Sequence, residues 1–359
     1  MIGLIIMWAA AIGIIMAALS IYRWNKAKME RNNKKLKALY KGKGTSIRAV
    51  NKNSDEFKYR LRDYYIQSSY NSCCGNEFFF DYVDYEPLKN VIKQGARCLD
   101  FEIYSVDGNC VVAAGKNASV DIKGTFNSLP IEAVFQTVAR FALKGNSTCP
   151  NPSDPLFLHL RIKSNRPEVY NQIADALDSN FKNMLSRDDK KYAFEAHGEN
   201  IGECPLSVFI GKVVIILEAT NNKYHTTRLE ELINFSSATP FFRQLRNYEV
   251  AYTHDMDGLI NYNRKNMSIT MPDYSSSNKN VSAALHHRFG CQMVCMNYQN
   301  MDKNLNYYLK FFNDKGTSFV LKPKNMRYVK TYIEIPKQAN PALSFSPRAI
   351  IMPQYKGWM

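Results

Sequence analysis

Apolar and polar positions divide this chain into three regimes. Residues 2–22 read IGLIIMWAAAIGIIMAALSIY, with no charge anywhere. At ~1.5 Å per residue the run covers ~30 Å, the thickness of a bilayer core. A helix in a globular domain is apolar along one stripe, not on every face. The pattern therefore predicts a membrane-spanning helix. Residues 23–43 turn polar and predict a continuation of that helix beyond the membrane. From about residue 55, short apolar runs alternate with longer amphipathic stretches. Cys98–Tyr104 alternates as a strand does, and Val111–Ala114, Leu156–Ile162, Val213–Leu217, Gln292–Met296 and Ser318–Leu321 read as buried strands. Pro87–Gln94, Pro130–Ala142, Pro167–Leu185 and Thr227–Phe235 read as helices, with Pro130 and Pro167 suited to a first turn. Asp273–Asn280 is a loop by composition. Strands separated by helices predict a parallel sheet or an α/β barrel.

Charge orients the first regime. Arg23, Lys26, Lys28, Arg31, Lys34, Lys35, Lys37, Lys41 and Lys43 follow the apolar run, opposed by Glu30. Nothing basic precedes it, as would be needed in a secretory signal peptide. The expectation is an uncleaved, single-pass anchor with the body on the cytoplasmic side. Tyr22 and Trp24 suit the aromatic belt, and Arg23, Lys26 and Lys28 suit contact with lipid headgroups. The formal charge of +15 and pI near 9.3 call for an anionic partner. With an anchor present, that partner is the bilayer, and no nucleic-acid binding is expected. Abundant Asn, Lys and Tyr point to an AT-rich genome, which accounts for part of the basicity.

Eight cysteines are scattered without a CxxC pair, which disfavours a zinc ribbon and predicts reduced core thiols. Cys291 and Cys295 are expected on one face of a strand. Of six histidines, His159 reads as a core or rim residue, His286-His287 lacks the spacing of a helical metal pair, and His254-Asp255 reads as a turn. His197 and His225 carry no pattern.

More specific blocks lie in the body. They are Ser68-Ser69-Tyr70-Asn71, then Gly95-Ala96-Arg97-Cys98-Leu99-Asp100-Phe101-Glu102, Asp107-Gly108, Pro155–Leu160 and Gly211-Lys212-Val213. Later come Gly290-Cys291-Gln292-Met293-Val294 with Asn297-Tyr298-Gln299, and Phe312–Gly316 running to Leu321-Lys322-Pro323. In this order, from about Tyr64 to Pro323, the arrangement resembles eukaryotic-type phosphoinositide-specific phospholipase C. The resemblance implies a distorted TIM-like (β/α)₈ barrel split into X and Y halves. The implied organisation is an anchor at 1–22, a basic juxtamembrane linker at 23–54, an X-like half at 55–220, a linker and Y-like half at 221–330, and an extension at 331–359.

The resemblance also implies two catalytic histidines and a calcium ion held by Asn, Glu, Asp and Glu. Tyr70 stands at the first histidine position and Ala114 at the second. A phenol of pKa ~10 is a poor proton relay at neutral pH, and alanine carries no proton at all. Asn71, Asp100 and Glu102 match three metal ligands, but Arg161 stands at the fourth. The headgroup lysines fall near Ile216 and Glu218, and the Y-half arginine and tyrosine near Ile269 and Met271. The expectation is a pseudoenzyme without catalytic residues or cofactor, in which Arg161 pairs with Asp100 and Glu102. Its expected role is structural or adaptor-like, with protein partners in a larger assembly such as the inner membrane or capsid of a large DNA virus. The alternatives are a divergent active phosphodiesterase, which would require calcium, and a phosphoinositide-binding module without turnover.

Overall fold

The computed structural model describes residues 2–51, 53–144, 148–186, 200–275, 277–330 and 347–358. His197 and most of the 331–359 extension lie outside them. Two compact units are distinguished, 1–327 and 328–359.

The first unit opens with a 38-residue helix, α1 (Ile2–Leu39). Strand β1 (Tyr64–Ser69) follows, then α2 (Tyr85–Lys93), β2 (Cys98–Val106), β3 (Asn109–Ala113), β4 (Leu129–Pro130), α3 (Ile131–Val138), β5 (Leu156–Ile162), α4 (Pro167–Phe181) and β6 (Val213–Leu217). Then come β7 (Phe235–Ser236), β8 (Phe242–Arg246), β9 (Met267–Met271), β10 (Met293–Met296) and β11 (Phe319–Leu321), with helices at Asn247–Ala251, Met256–Lys265, Ala283–Arg288 and Lys303–Lys315 between or after them.

Eight strands pair in parallel in the order β7-β6-β5-β2-β1-β10-β9-β8. The path curls into a nearly closed α/β barrel. No ladder joins β7 to β8; the Phe235 and Phe242 rings bridge the gap with centroids 5.4 Å apart. β3 and β11 are antiparallel additions to β2 and β1. The β2–β3 turn is Asp107-Gly108, both at positive φ (51° and 78°), as a tight hairpin requires. Every side chain of β5 and β6 is buried. Helices cover the sheet from outside and side chains fill it from inside, so alternation gives way to continuous apolar runs.

Several elements differ from the sequence reading. Thr227–Phe235 is not a helix: it holds a 3₁₀ turn, Arg228–Leu232, and the start of β7. The stretch expected as the linker at the start of 221–330 is part of the barrel wall, since β7 and β8 lie there. The basic stretch is helical through Leu39, and its far end is docked rather than free. Leu36 and Tyr40 are buried, and the Tyr40 hydroxyl donates to the Tyr298 carbonyl at 2.7 Å. Cys291 and Cys295 do not share a strand face. Cys291 precedes β10 and packs with Val250, Leu259 and Phe289, while Cys295 lies in the main core.

The apolar half of α1 contrasts with all of this. Ile6, Met7, Trp8, Ile12, Ile14, Ile15, Met16, Leu19 and Ile21 are all exposed. Among the described residues, α1 is the helix long and apolar enough to cross a membrane. In the second unit, Ala349–Met352 and Tyr355–Trp358 form an antiparallel hairpin.

Candidate functional site at the barrel mouth

Strand order brings the chemistry-bearing residues together where the parallel strands end. Asn71 follows β1, Asp100 and Glu102 lie on β2, His159 and Arg161 on β5, Glu218 follows β6, and Gln244 and Arg246 lie on β8. The β2–β5 register sets Asp100 beside His159 and Glu102 beside Arg161. Such pairs two residues apart on a strand point to one face, here the interior.

Arg161 is the hub. Its Nε donates to Asp100 Oδ1 at 2.8 Å and its Nη2 to Asp100 Oδ2 at 2.9 Å, a bidentate fork. Nη2 also donates to Asn71 Oδ1 at 2.7 Å, and Nη1 lies 3.4 Å from Glu102 Oε1. The Tyr70 ring covers the guanidinium at 4.7 Å. Asn71 reaches inward from a left-handed backbone (φ 42°), which asparagine tolerates better than most residues, and its N–H donates to Asp100 Oδ2 at 2.8 Å. Glu102 Oε2 accepts from the Gly115 N–H at 3.1 Å, next to Ala114.

A second network adjoins the first. His159 Nδ1 lies 2.7 Å from Asp100 Oδ1 and its Nε2 lies 3.0 Å from Gln244 Oε1. The Gln244 amide donates to Glu218, whose other oxygen accepts from Lys163 Nζ at 2.8 Å. Arg246 lies 3.9 Å from Glu218, donates to the Tyr70 hydroxyl at 3.4 Å, and stacks on the Tyr274 ring at 3.7 Å. Three carboxylates thus face three cations.

Burial makes this matching decisive. Asp100, His159 and Arg161 are completely buried. Burial alone raises a carboxyl pKa, but the charge and hydrogen bonds of Arg161, with the bond to His159, hold Asp100 well below the usual range. Burial would likewise lower the Arg161 pKa, yet the charges of Asp100 and Glu102 and the hydrogen bonds to Asp100 keep it raised. Burial also raises Glu218, but Lys163 and Arg161 outweigh it and leave its pKa lowered. Burial pushes the Tyr70 phenol up to about 12, so it stays protonated.

Family models match the two halves of this barrel. The phosphatidylinositol-specific phospholipase C X domain matches residues 57–216 and the Y domain residues 214–325. The chain belongs to the phosphatidylinositol-specific phospholipase C family. The crystal structure of S. officinalis PLC21 is similar in fold, with a TM-score of 0.63 and 16% identity, covering 80% of this chain and 40% of that one. L. pealei PLC21 gives a TM-score of 0.62 at 17% identity, covering 76% and 38%. The chain therefore spans about two fifths of the length of these relatives. No curated protein matches it.

The family's calcium ion does not fit the residues present. Asn71 Oδ1, both Asp100 oxygens and Glu102 Oε1 all face the Arg161 guanidinium. A unit charge ~4 Å from this cation costs ~4 kcal/mol at an effective dielectric of ~20, and a divalent ion about twice that. Among the described residues, no cluster of three or more His, Cys, Asp and Glu could hold a metal.

The sequence-derived positions Tyr70, Asn71, Asp100, Glu102, Ala114 and Arg161 converge here. Ile216, Ile269 and Met271 are buried wall residues. The positive group expected near Ile269 and Met271 comes instead from the neighbouring strand, where Arg246 pairs in register with Met271. His159 is a member of the site rather than a bystander. The alternation Leu158-His159-Leu160-Arg161 carried that signal, since it puts His159 and Arg161 on the same face. Gln244, Arg246 and Tyr274 had no local signal. Lys28, expected at the headgroups, donates to the Phe80 carbonyl at 2.6 Å.

Proposed function

We propose that this chain is a membrane-anchored phospholipase C-like barrel without phosphodiesterase turnover, retained as a scaffold that tethers a lipid bilayer to a protein assembly. The observation carrying this reading is Arg161, which closes the mouth from within by engaging Asn71, Asp100 and Glu102. A phosphoinositide headgroup would have to displace a buried, charge-matched network. Tyr70 and Ala114 supply no proton relay, and losing one acid–base group alone typically costs ~10²–10⁴ in rate. The exposed apolar half of α1 supports the anchor, and the basic residues after it support a body on the cytoplasmic side. A virion, with an internal membrane beneath a protein shell, is one setting that fits.

The His159–Asp100 pair favours a second reading, a divergent phosphodiesterase with a relocated acid–base pair. Both ring nitrogens of His159 are already engaged, which weighs against it. The test is incubation of the full chain, reconstituted in nanodiscs, with phosphatidylinositol vesicles and calcium. No released inositol phosphate is expected, with or without chelator. Turnover that disappears in a His159→Gln variant would establish the second reading. Binding without turnover would make the chain a phosphoinositide-binding module.

A further inference from the structure

We propose that the C-terminal hairpin is a second membrane-binding element, which lies in the headgroup layer of the bilayer that α1 crosses and prefers anionic lipid there. This rests on α1 crossing that bilayer, and adds a contact made independently by the second unit.

The hairpin is β12 (Ala349–Met352) and β13 (Tyr355–Trp358), turned at Pro353-Gln354. Its ladder sets Ala349 opposite Trp358, Ile350 opposite Gly357, Ile351 opposite Lys356 and Met352 opposite Tyr355. Opposed residues share a face, and successive residues alternate between faces. One face therefore presents Ala349, Ile351, Lys356 and Trp358, and the other Ile350, Met352, Tyr355 and Gly357. Apolar side chains stand on both, whereas a strand pair with one face on a protein and one in water alternates apolar with polar.

Among the described residues, little covers these side chains. Ile351 is 71% exposed, Met352 60%, Tyr355 61% and Trp358 75%. Apolar residues gathered in the open on so short a piece mark an interaction surface. A two-stranded hairpin is also marginal in water by itself. A protein groove would take one face and leave the other wet, whereas a lipid interface surrounds both. The strand edges set the depth. This sheet has two strands, so each outer edge carries a row of backbone groups without a ladder partner. That excludes the hydrocarbon core and leaves the headgroup layer, where water and phosphate can bond them.

Composition selects the lipid. Beyond Glu334 the sequence holds Lys337, Arg348 and Lys356 and no Asp or Glu. Arg348 directly precedes β12 and Lys356 stands opposite Ile351, so both cations flank apolar side chains. Tyrosine and tryptophan settle at the membrane–water boundary, and cations near an anionic surface add an attraction that salt screens. Aliphatic, aromatic and cationic residues without an acid match the make-up of interfacial segments.

The bilayer is the one that α1 supplies. Residues 328–346 join the hairpin to the first unit, a length that reaches ~65 Å at full extension. A chain already held on a membrane meets that membrane at high effective concentration. A modest intrinsic affinity of the hairpin then suffices, and soluble partners compete poorly.

Depth-dependent quenching by brominated lipids tests this on the full chain in anionic nanodiscs. The native tryptophans are Trp8, Trp24 and Trp358. Trp24→Phe with Trp358→Phe keeps Trp8 alone, and Trp8→Phe with Trp24→Phe keeps Trp358 alone. The expected result is quenching of Trp8 by deep bromines, and a blue shift with quenching of Trp358 by shallow ones. Adding Arg348→Gln and Lys356→Gln, or raising the salt, should weaken quenching of Trp358 and leave Trp8 unchanged. Quenching of Trp358 that ignores both would overturn the preference for anionic lipid. Quenched Trp8 beside a solvent-like Trp358 would overturn the hairpin contact and leave the anchor standing. A blue-shifted but unquenched Trp358 would overturn it too, and would put a protein surface in place of the bilayer. Quenching of Trp358 only by brominated vesicles added to plain nanodiscs would assign the hairpin to another membrane and overturn its pairing with α1. Unquenched Trp8 would overturn both readings.

Discussion

Two buried charged regions at opposite ends of β1 respond to burial in opposite ways. At the mouth, Arg161 keeps its charge and drives Asp100 to keep its own. At the base, burial pushes Lys322 down to about 7 and Asp63 above its usual value. The Lys322 ammonium donates to the Asn263 carbonyl at 3.0 Å, and Asp63 Oδ2 accepts from the Arg60 N–H at 3.3 Å. The depth is similar; the geometry differs. A guanidinium fork satisfies both oxygens of a carboxylate, whereas a point charge beside a carbonyl does not. Ions stay charged in a barrel interior where hydrogen bonds are matched, and drift toward neutrality where they are not.

Breaking the mouth should have the largest effect. Arg161→Gln leaves Asp100 and Glu102 without their cation, and a loss of about 3–5 kcal/mol is expected in denaturant unfolding. Combining it with Asp100→Asn should recover part of that loss, and strict additivity would show that the two do not act as a unit.

The base should respond with the opposite sign. Lys322→Met is expected to stabilise the protein by about 2–4 kcal/mol below neutral pH. In the folded state the Lys322 pKa is depressed below its unfolded value near 10.5. The unfolded chain therefore binds the extra proton between about 7 and about 10, and stability rises with pH across that window. The variant should flatten that slope. An unchanged slope would mean that Lys322 is charged and well solvated.

The smallest effect sharpens the comparison. Tyr70→Phe keeps a ring over Arg161 and removes a hydroxyl whose contact with Arg246 is 3.4 Å long. A change below about 1 kcal/mol is expected, against about 1–2 kcal/mol for Tyr70→Leu, which removes the cation–π contact. Thermal melts of the two variants would separate them.

Much of the barrel was legible because buried parallel strands are written as apolar runs. Leu156–Ile162 and Val213–Leu217 appear in the structure as they read in the sequence. β8 was not legible. Its sequence, Phe-Arg-Gln-Leu-Arg, looks like a polar loop, yet Gln244 and Arg246 are polar because they face the mouth network. β9 was hidden in the same way by Ser268 and Thr270, which are buried and bond to Gln292 and to the Met293 carbonyl. Tyr70, Asn71, Asp100, Glu102 and Arg161 were legible through the family resemblance. His159 was signalled by its alternation with Arg161, whereas Gln244 and Arg246 became visible only when the curl of the sheet brought β8 to the mouth network.

The open junction between β7 and β8 carries a liability of its own. A sheet that stops short of closing has two edges, and each edge is a template for a strand from another molecule. Here β7 is two residues long, and Pro240, which lacks an N–H, stands just ahead of β8. The stubby edge, the proline and the Phe235–Phe242 plug give a docking strand almost nothing to grip, and so guard the open junction against edge-to-edge pairing.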